Sequence, residues 1–307
     1  MLAFGRMRIL KILLAAVGLL VMWSLGLQAT YAQDRVLLQF PVNKKTAFFE
    51  HYFMRNSPLV EEIPRFADAF VQLVNQEFFK ADYDYPIKVM VLEDHAKFQD
   101  FLRRHFGVEN PPNFGIFFGE LKCFVTHESA GLGTFAHEIL HPLVERNLPL
   151  HPVWATEGIP SFFEKFYGYW DGDKLVAQFG YQNPWRIQAI GADLMTLDLG
   201  QILAYKDTQG RFRESEQRMV SMFMWKHGKF KKMLQQIQTG VPIEGYQTWF
   251  EAAMEMKLPE LEPLWRAYLK EVAAAHHLFA LPPSTILVDE PSYRLFAARH
   301  NLLNRID

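Results

Sequence analysis

Apolar residues in the first half of the chain follow two spacings, one typical of helices and one typical of strands. Between residues 58 and 80 they recur every three or four positions, which predicts a helix. The nearly continuous apolar run 87–92 predicts a buried strand, and the spacing over 98–106 predicts a helix after it. We also expect a short strand at 35–41 and a hairpin at 115–125.

Beyond residue 131 the pattern is almost entirely helical. Thr134 is placed to cap a helix that runs to about residue 146, and a second helix starts near Pro152 and runs past Phe166. The stretch 167–186 is rich in Gly, Tyr and Trp, and it predicts a loop. Further helices are predicted at 192–205, 215–227, 229–238, 245–256, 260–275 and 292–303.

These elements together predict an α+β fold. A small mixed β-sheet in the N-terminal half is expected to pack on a mostly helical C-terminal half. Residues 33–130 would form the α/β subdomain with the hairpin at its edge. Residues 131–275 would form the helical subdomain, and residues 276–307 a C-terminal tail.

The first 32 residues have the pattern of an export signal. Three basic residues precede an uncharged, mostly apolar run over 12–27, and Ala32 offers a small residue for cleavage. We therefore expect an exported protein, periplasmic or extracellular, that loses residues 1–32. The alternative is an uncleaved membrane anchor formed by residues 12–27, although this run is slightly shorter than the ~20 residues that span a bilayer.

Composition and charge narrow the class of protein further. The chain has 307 residues, of which 50% are apolar and 21% charged, as in an ordinary globular protein. Its net charge is −2 and it has no dense stripe of Lys and Arg, so nucleic acid is not an expected partner. Cys123 is the single cysteine, which excludes an intramolecular disulfide. Its apolar neighbours predict a buried strand residue rather than a nucleophile.

The stretch Thr134–His141 carries candidate catalytic chemistry. Residues four apart lie on one face of a helix, so His137 and His141 can offer two imidazoles to one zinc ion. Glu138 stands beside them, where a carboxylate can take a proton from water and return it to a leaving amine. The sequence therefore predicts a hydrolytic zinc site with Glu138 as its catalytic base.

Glu157 is the candidate third ligand. It stands on the next predicted helix, and an antiparallel helix joined by about ten residues would bring its carboxylate back over the two imidazoles. The other common arrangement, the metzincin site, has a third histidine six residues after the second, where this chain has Asn147. His151 is a competing ligand, but it precedes Pro152 in the connecting segment.

The stretch from His137 to Glu164 resembles the gluzincins, the thermolysin-like clan of zinc peptidases, and in particular their peptidase MA-like domains. The resemblance rests on His-Glu-x-x-His, a link that contains Pro and Trp, and then Trp154-x-x-Glu157-Gly158 followed by aromatic residues. It extends more weakly over residues 60–275.

This resemblance implies a zincin-like fold with the active-site cleft between the two halves. It also implies peptide hydrolysis with one Zn²⁺ per chain, held by His137, His141 and Glu157, and with Glu138 as general acid and base. The expected partner is a peptide or protein substrate. Because the chain has no clear motif for anchoring an amine, we expect an endopeptidase.

The chain departs from the gluzincin pattern in two respects. Pro142 follows the second histidine directly, so we expect the zinc helix to kink or end right after His141. Gluzincins also use a Tyr or His to stabilise the tetrahedral oxyanion, and no tyrosine stands where the helix near residue 215 begins. The sequence leaves that donor open among Tyr167, Tyr169, Tyr181, Tyr205 and His227.

Two further features have both a functional and a structural interpretation. Glu164 lies seven residues after Glu157, where it can orient a metal ligand or serve as a solvated helix charge. The hairpin 115–125, turning near Gly119, can present an edge strand to an extended substrate or serve only as a core hairpin.

Other functions stay open at this point. A zinc-binding scaffold or binding protein of the cell envelope that has lost turnover would keep the same ligands. A metal-free envelope protein would carry the motif by chance. A zinc hydrolase that cleaves a non-peptide amide, such as a cell-wall crosslink, would need the same residues.

Overall fold

In a computed structural model of the chain, the described residues are 36–81, 86–148, 153–205, 213–237, 246–275 and 285–296. They form a mixed α/β fold that is about 60% helical, with small mixed sheets. The predicted export signal lies outside the described residues, and so does His151. Within the described part of the chain, no helix is both long and apolar enough to cross a membrane.

The larger sheet has five strands in the order β1-β2-β3-β5-β4. The inner pairs β2–β3 and β3–β5 are parallel, and the outer pairs β1–β2 and β4–β5 are antiparallel. The prediction of a buried strand at 87–92 is confirmed by β3, and the predicted hairpin is confirmed by β4 and β5. The strands are β1 (Val42–Lys45), β2 (Phe49–Phe53), β3 (Ile87–Leu92), β4 (Gly115–Phe118) and β5 (Cys123–His127).

Helices cover both faces of this sheet, which is why β3 is buried at almost every position. Helix α1 (Leu59–Val74) packs in the main core cluster with buried residues of the segments 135–144 and 154–163. Helix α2 (His95–Phe106) covers the opposite face in a smaller cluster that includes Cys123. The prediction that Cys123 is a buried strand residue is confirmed, and burial raises the pKa of its thiol to about 12.

The single helix predicted over 135–146 is wrong, because the chain forms two short helices there. Helix α3 (Gly131–Glu138) ends between the two histidines, and α4 (His141–Asn147) begins at the second one. Pro142 explains the position of the break: it has no N–H to donate, and its ring would clash with the carbonyl of Glu138. The break therefore precedes His141 and does not follow it.

The predicted cap at Thr134 is also wrong. Helix α3 already begins at Gly131, and the Thr134 hydroxyl donates a hydrogen bond back to the Ala130 carbonyl at 3.1 Å. Helix α5 (Val153–Phe163) confirms the next predicted helix but ends before Phe166.

The loop predicted at 167–186 is wrong, since this stretch contains a hairpin and the start of a helix. Strands β6 (Tyr167–Asp171) and β7 (Lys174–Gln178) pair antiparallel, with Gly172 at φ 58° in the turn between them. The Tyr- and Trp-rich composition that indicated a loop is also typical of strands. Strand β8 (Thr285–Leu287) adds to β6 in parallel and completes a second, three-stranded sheet.

The rest of the described chain is mostly helical. The predictions over 215–227, 229–238, 245–256 and 260–275 are confirmed with small shifts at their ends. In place of one helix at 192–205 there is a 3₁₀ turn over Gly191–Thr196 and a short helix, and the described residues 36–41 hold a turn instead of the strand predicted at 35–41. The helices are α6 (Pro184–Ile190), α7 (Leu199–Leu203), α8 (Arg213–Lys226), α9 (Phe230–Ile237), α10 (Tyr246–Met254), α11 (Leu258–Ala275) and a last segment at 290–296.

His51 is an unusual member of the sheet core. Its ring lies between the rings of Phe49 and Phe53 on β2 and is fully buried. Neither ring nitrogen has a hydrogen-bond partner among the described residues. Burial, with the positive charge of Lys44 adding to it, lowers the pKa of His51 to about 3.

We expect this histidine to make the fold acid-sensitive. In the unfolded chain His51 takes up a proton as the pH falls through about 6.5, whereas in the folded protein it does so only near 3. Protonation therefore favours the unfolded state in that window, by about 3 kcal/mol between about pH 7 and pH 4. In urea unfolding at several pH values, His51→Leu should lose less stability on acidification than the wild type. The exposed-site control His105→Leu should behave as the wild type, and equal acid sensitivity of all three proteins would contradict the assignment.

Candidate metal centre

Three side chains from three helices bring their ligand atoms together. His137 comes from the end of α3, His141 from the start of α4 and Glu157 from the middle of α5. The Glu157 Oε2 atom lies 3.4 Å from His137 Nε2 and 3.7 Å from His141 Nε2. One ligand atom from each of the three residues lies within 4.8 Å of the other two.

The two distances from Glu157 are close to those expected between ligands of a tetrahedral zinc ion. With Zn–N and Zn–O bonds of ~2.1 Å, the ligand atoms of such a site lie about 3.4 Å apart. The two imidazole rings lie edge to face, with an interplanar angle of 70° and ring centroids 5.0 Å apart. Both histidines are buried and Glu157 is mostly buried, which suits a site that excludes bulk water. Two imidazoles and one carboxylate are also a donor set that zinc prefers.

The helix break at Pro142 does not separate the two histidines. The His141 ring stacks on Phe117 of strand β4 at an interplanar angle of 4° and a centroid distance of 5.9 Å. The edge strand therefore holds the second metal-ligand candidate in place. The orientation that a continuous helix would have provided comes here from a tertiary contact.

Glu138 lies beside the ligand group without belonging to it. Its Oε2 atom is 3.9 Å from His141 Nε2, and the carboxylate lines the adjoining pocket. Burial raises the pKa of Glu138 to about 8, although the positive charge of His137 acts in the opposite direction. A carboxylate with a pKa in this range can both accept and donate a proton near neutral pH.

The three metal-ligand candidates are buried together, and each has a shifted pKa. Burial by itself would lower the pKa of His137, but the neighbouring carboxylates of Glu157 and Glu164 outweigh it and raise the pKa to about 10. Burial lowers the pKa of His141 to about 4. Burial would raise the pKa of Glu157, but the two histidines hold it near 2. At neutral pH His141 is therefore a neutral imidazole and Glu157 a carboxylate, which are the forms that bind metal, whereas His137 is protonated and would release its proton when metal binds.

Glu164 lies behind His137, on the side away from Glu157. Its Oε2 atom is 3.7 Å from His137 Nδ1, and the Ser161 hydroxyl is 3.4 Å from the same nitrogen. The carboxylate accepts hydrogen bonds from Asn183 at 2.8 Å and from Arg186 at 2.8 and 3.0 Å. Burial would raise the pKa of Glu164, but Arg186 and His137 hold it well below its usual range. Glu164 is therefore an ionised carboxylate beside the outer nitrogen of a metal-ligand candidate.

A pocket of about 640 Å³ opens beside the three-ligand group. Residues from the start of β4, from α3 and from the start of α6 line it, and His137 and Glu138 form part of its floor. Arg186 lines it too, and this guanidinium also donates to Glu214 at 2.6 Å.

None of the five residues considered as oxyanion donors is among those that line this pocket. Tyr167 and Tyr181 pack against each other, and Tyr169 packs on Tyr293. The Tyr205 hydroxyl donates to Glu216 at 2.5 Å, and His227 packs on Phe223. The positive side chains that line the pocket besides His137 are Lys165 and Arg186.

Sequence reasoning missed Asn183 and Arg186 because it interpreted 167–186 as a loop. A local signal was present: Asn183 followed by Pro184 is the pattern of a helix cap and first turn. The Asn183 side chain caps α6 by accepting from the Trp185 N–H at 3.1 Å. Asn183 and Arg186 reach Glu164 only through long-range packing. A single sequence carries no signal for such packing.

Gly158 permits the close approach that positions Glu157. Helices α5 and α8 cross so closely there that a Cβ on Gly158 would lie 2.6 Å from the Gln217 carbonyl oxygen. The glycine of Trp154-x-x-Glu157-Gly158 therefore serves helix packing directly beside the metal-ligand candidate.

No family model matches this chain, and no curated protein matches it.

We expect Gly158→Ala to destabilise the protein by roughly 1–3 kcal/mol, because the new methyl group meets backbone and the two helices must separate. Thermal unfolding measures this cost. The matched control is Gly200→Ala, also in a helix, where a Cβ would meet only side-chain atoms at 3.2 Å or more. Equal stability of Gly158→Ala and wild type would mean that the helices are not in close contact at this point.

Proposed function

We propose that this protein is an exported zinc-dependent metallopeptidase of the gluzincin type. The observation that carries the proposal is the convergence of His137, His141 and Glu157, with Glu157 Oε2 3.4 and 3.7 Å from the two imidazole nitrogens. The resemblance of residues His137 to Glu164 to the gluzincins supplies the reaction class. The export signal predicted for residues 1–32 supplies the location.

In this proposal His137, His141 and Glu157 hold one Zn²⁺ and leave a fourth position open. Zinc bound there supplies Lewis-acid chemistry, which polarises a carbonyl group and lowers the pKa of water to about 7. Glu138 takes the proton from the attacking water on its carboxylate and passes it to the leaving amine. Burial, which raises the pKa of Glu138 to about 8, makes this carboxylate a stronger base and so favours the first of these transfers.

A peptide substrate suits the surroundings of Glu138. Strand β4 lies at the edge of the five-stranded sheet, so it has backbone groups that no strand of that sheet pairs with. Gly115 begins this strand, and a Cβ there would be only 3.3 Å from the Glu138 Cγ atom. An extended peptide that adds to β4 would therefore run past the catalytic base. The open edge favours cleavage within a chain, and we propose an endopeptidase with its cleft between the sheet and the helices.

We propose that Arg186 supplies the positive charge that stabilises the substrate in the pocket that Glu138 also lines. Its guanidinium carries five N–H groups, and three suffice for its hydrogen bonds to Glu164 and Glu214. Arg186 lines the same pocket as Glu138, and its charge contributes to the pKa of that carboxyl. It is the side chain best placed to face negative charge that develops on a substrate oxygen.

Zinc content tests the three-ligand site. The purified protein should carry about one zinc per chain. His141→Ala and Glu157→Ala should lose the metal or bind it much more weakly, because each removes one of three protein ligands. His227→Ala, which alters a histidine outside the group, is the control. Absence of zinc from wild-type protein after purification with metal supplied would refute the proposal.

A zinc-binding envelope protein without turnover is the second candidate. The observation that favours it is that no tyrosine lines the pocket among the described residues. An internally quenched peptide library separates the two functions. Cleavage that depends on zinc and is lost in Glu138→Gln supports the peptidase. Full zinc occupancy without cleavage supports the scaffold.

We also expect Glu164 to set zinc affinity through His137. Glu164→Gln removes the charge that orients the imidazole, and Arg186→Met removes the side chain that holds Glu164. Each should weaken zinc binding by about 10- to 100-fold in a chelator competition. The control Arg266→Met removes an arginine that pairs with Glu262 away from the site. Zinc affinity unchanged in both variants, while their unfolding temperatures stay near wild type, would show that Glu164 is a structural charge only.

A further inference from the structure

Two exposed aromatic residues meet at the mouth of the pocket. Phe114 lies just before strand β4 and Trp185 lies in the first turn of α6, yet their ring centroids are 5.9 Å apart at an interplanar angle of 73°. Both line the pocket that contains Glu138. We call this pair the aromatic clamp.

The exposure of the clamp is unusual for this protein. Trp185 is 54% exposed and Phe114 39% exposed, and they are two of only seven large apolar side chains that are exposed in the described part of the chain. Most large aromatic residues there are packed in the core. Exposed aromatic pairs beside a pocket mark a binding surface, since water contact with both rings costs free energy until something covers them.

The surrounding structure holds the Phe114 side of the clamp in place. Phe114 stacks on His127, whose ring nitrogens are hydrogen-bonded to the Asn113 carbonyl at 3.0 Å and to the Ser129 hydroxyl at 2.9 Å. The Phe114 carbonyl accepts from the Thr126 hydroxyl at 2.8 Å. The clamp is therefore ordered before a ligand arrives, which reduces the entropic cost of binding.

Trp185 is held from the other side by Asn183. The Asn183 side chain accepts from the backbone N–H of Trp185 and donates to Glu164, which lies against His137. The clamp is thus connected through two side chains to a metal-ligand candidate. A residue bound in the clamp would have a fixed position relative to Glu138.

The shape of the clamp selects its ligand. The Arg186 guanidinium lies over the indole ring of Trp185 at 5.3 Å from its centroid, and Phe114 meets the indole nearly edge-on. What remains is a corner between two rings, not one broad flat face. Such a corner fits the side chain of an aromatic or branched apolar residue, whereas a sugar ring stacks best on an open aromatic face.

From these observations, and resting on the proposed peptidase function, we propose that Phe114 and Trp185 form a substrate subsite. The subsite takes one aromatic or bulky aliphatic side chain of a peptide substrate at a fixed distance along the chain from the bond that is cleaved. The substrate class is accordingly an extended peptide with an apolar residue at that position.

Binding measured without turnover tests this subsite. The protein is the Glu138→Gln variant, and the probes are acetylated and amidated alanine hexapeptides in which a single Phe, Leu or Glu is moved through each position. Calorimetry should find one position at which Phe or Leu binds about ten-fold more tightly than Ala, as expected from burying an apolar side chain. Glu at that position should not improve binding.

Variants of the clamp test whether it causes the preference for Phe or Leu at that position. In Trp185→Ala, and likewise in Phe114→Ala, the preference for Phe over Ala should fall to less than about three-fold, since half of the apolar corner is removed. Trp185→Phe should retain most of the preference. Met256→Ala, which shortens an exposed apolar side chain elsewhere, is the matched control and should leave it unchanged.

Several results would overturn the subsite. They are the absence of any preferred position, the absence of any peptide binding, a preference for Phe that survives in both alanine variants, or binding of N-acetylglucosamine oligomers that is lost in Trp185→Ala. The subsite and the proposed function can fail separately. Peptide cleavage without the Phe preference refutes the subsite alone, and the Phe preference in a protein that cleaves no peptide refutes the function alone.

Discussion

The buried ionic network around Glu164 is the interaction on which the candidate site depends. This carboxylate lies between His137 on one side and the guanidinium groups of Arg186 and Arg218 on the other. A buried charge is costly unless other charges and hydrogen bonds compensate it, and here residues from α3, from the start of α6 and from α8 provide that compensation. The same contacts that satisfy the charge therefore lock three helices around the outer nitrogen of a metal-ligand candidate.

Two backbone constraints decide where the ligand atoms meet. Pro142 ends α3 before His141, so the two histidines do not share one continuous helix, and Phe117 of the edge strand holds the second imidazole instead. Gly158 allows α5 to approach the backbone of α8, which positions Glu157 over both rings. The sheet, the helices that carry the metal-ligand candidates and the buried helix α8 thus all help to position His137, His141 and Glu157.

Much of the fold could be predicted from periodicity. The strand β3, the hairpin of β4 and β5, the helices on both faces of the sheet and most C-terminal helices follow local spacing, because burial of one face imposes it on each element. The loop prediction at 167–186 was wrong because local signals there are consistent with two kinds of structure. At 167–186 aromatic and glycine residues suit both loops and strands, and only the pairing of β6 with β7 and the distant β8 distinguishes them.

The sequence by itself determined the chemical identity of the candidate site. The spacing of His137, Glu138 and His141, with Glu157 in the next helix, follows from the types and order of residues, and the structure brings the three metal-ligand candidates together. Only the tertiary structure decided which groups surround them. Asn183 and Arg186 reach Glu164, and Phe114 meets Trp185, across long stretches of chain. Contacts of this kind arise from packing between whole elements, and local spacing carries no record of them.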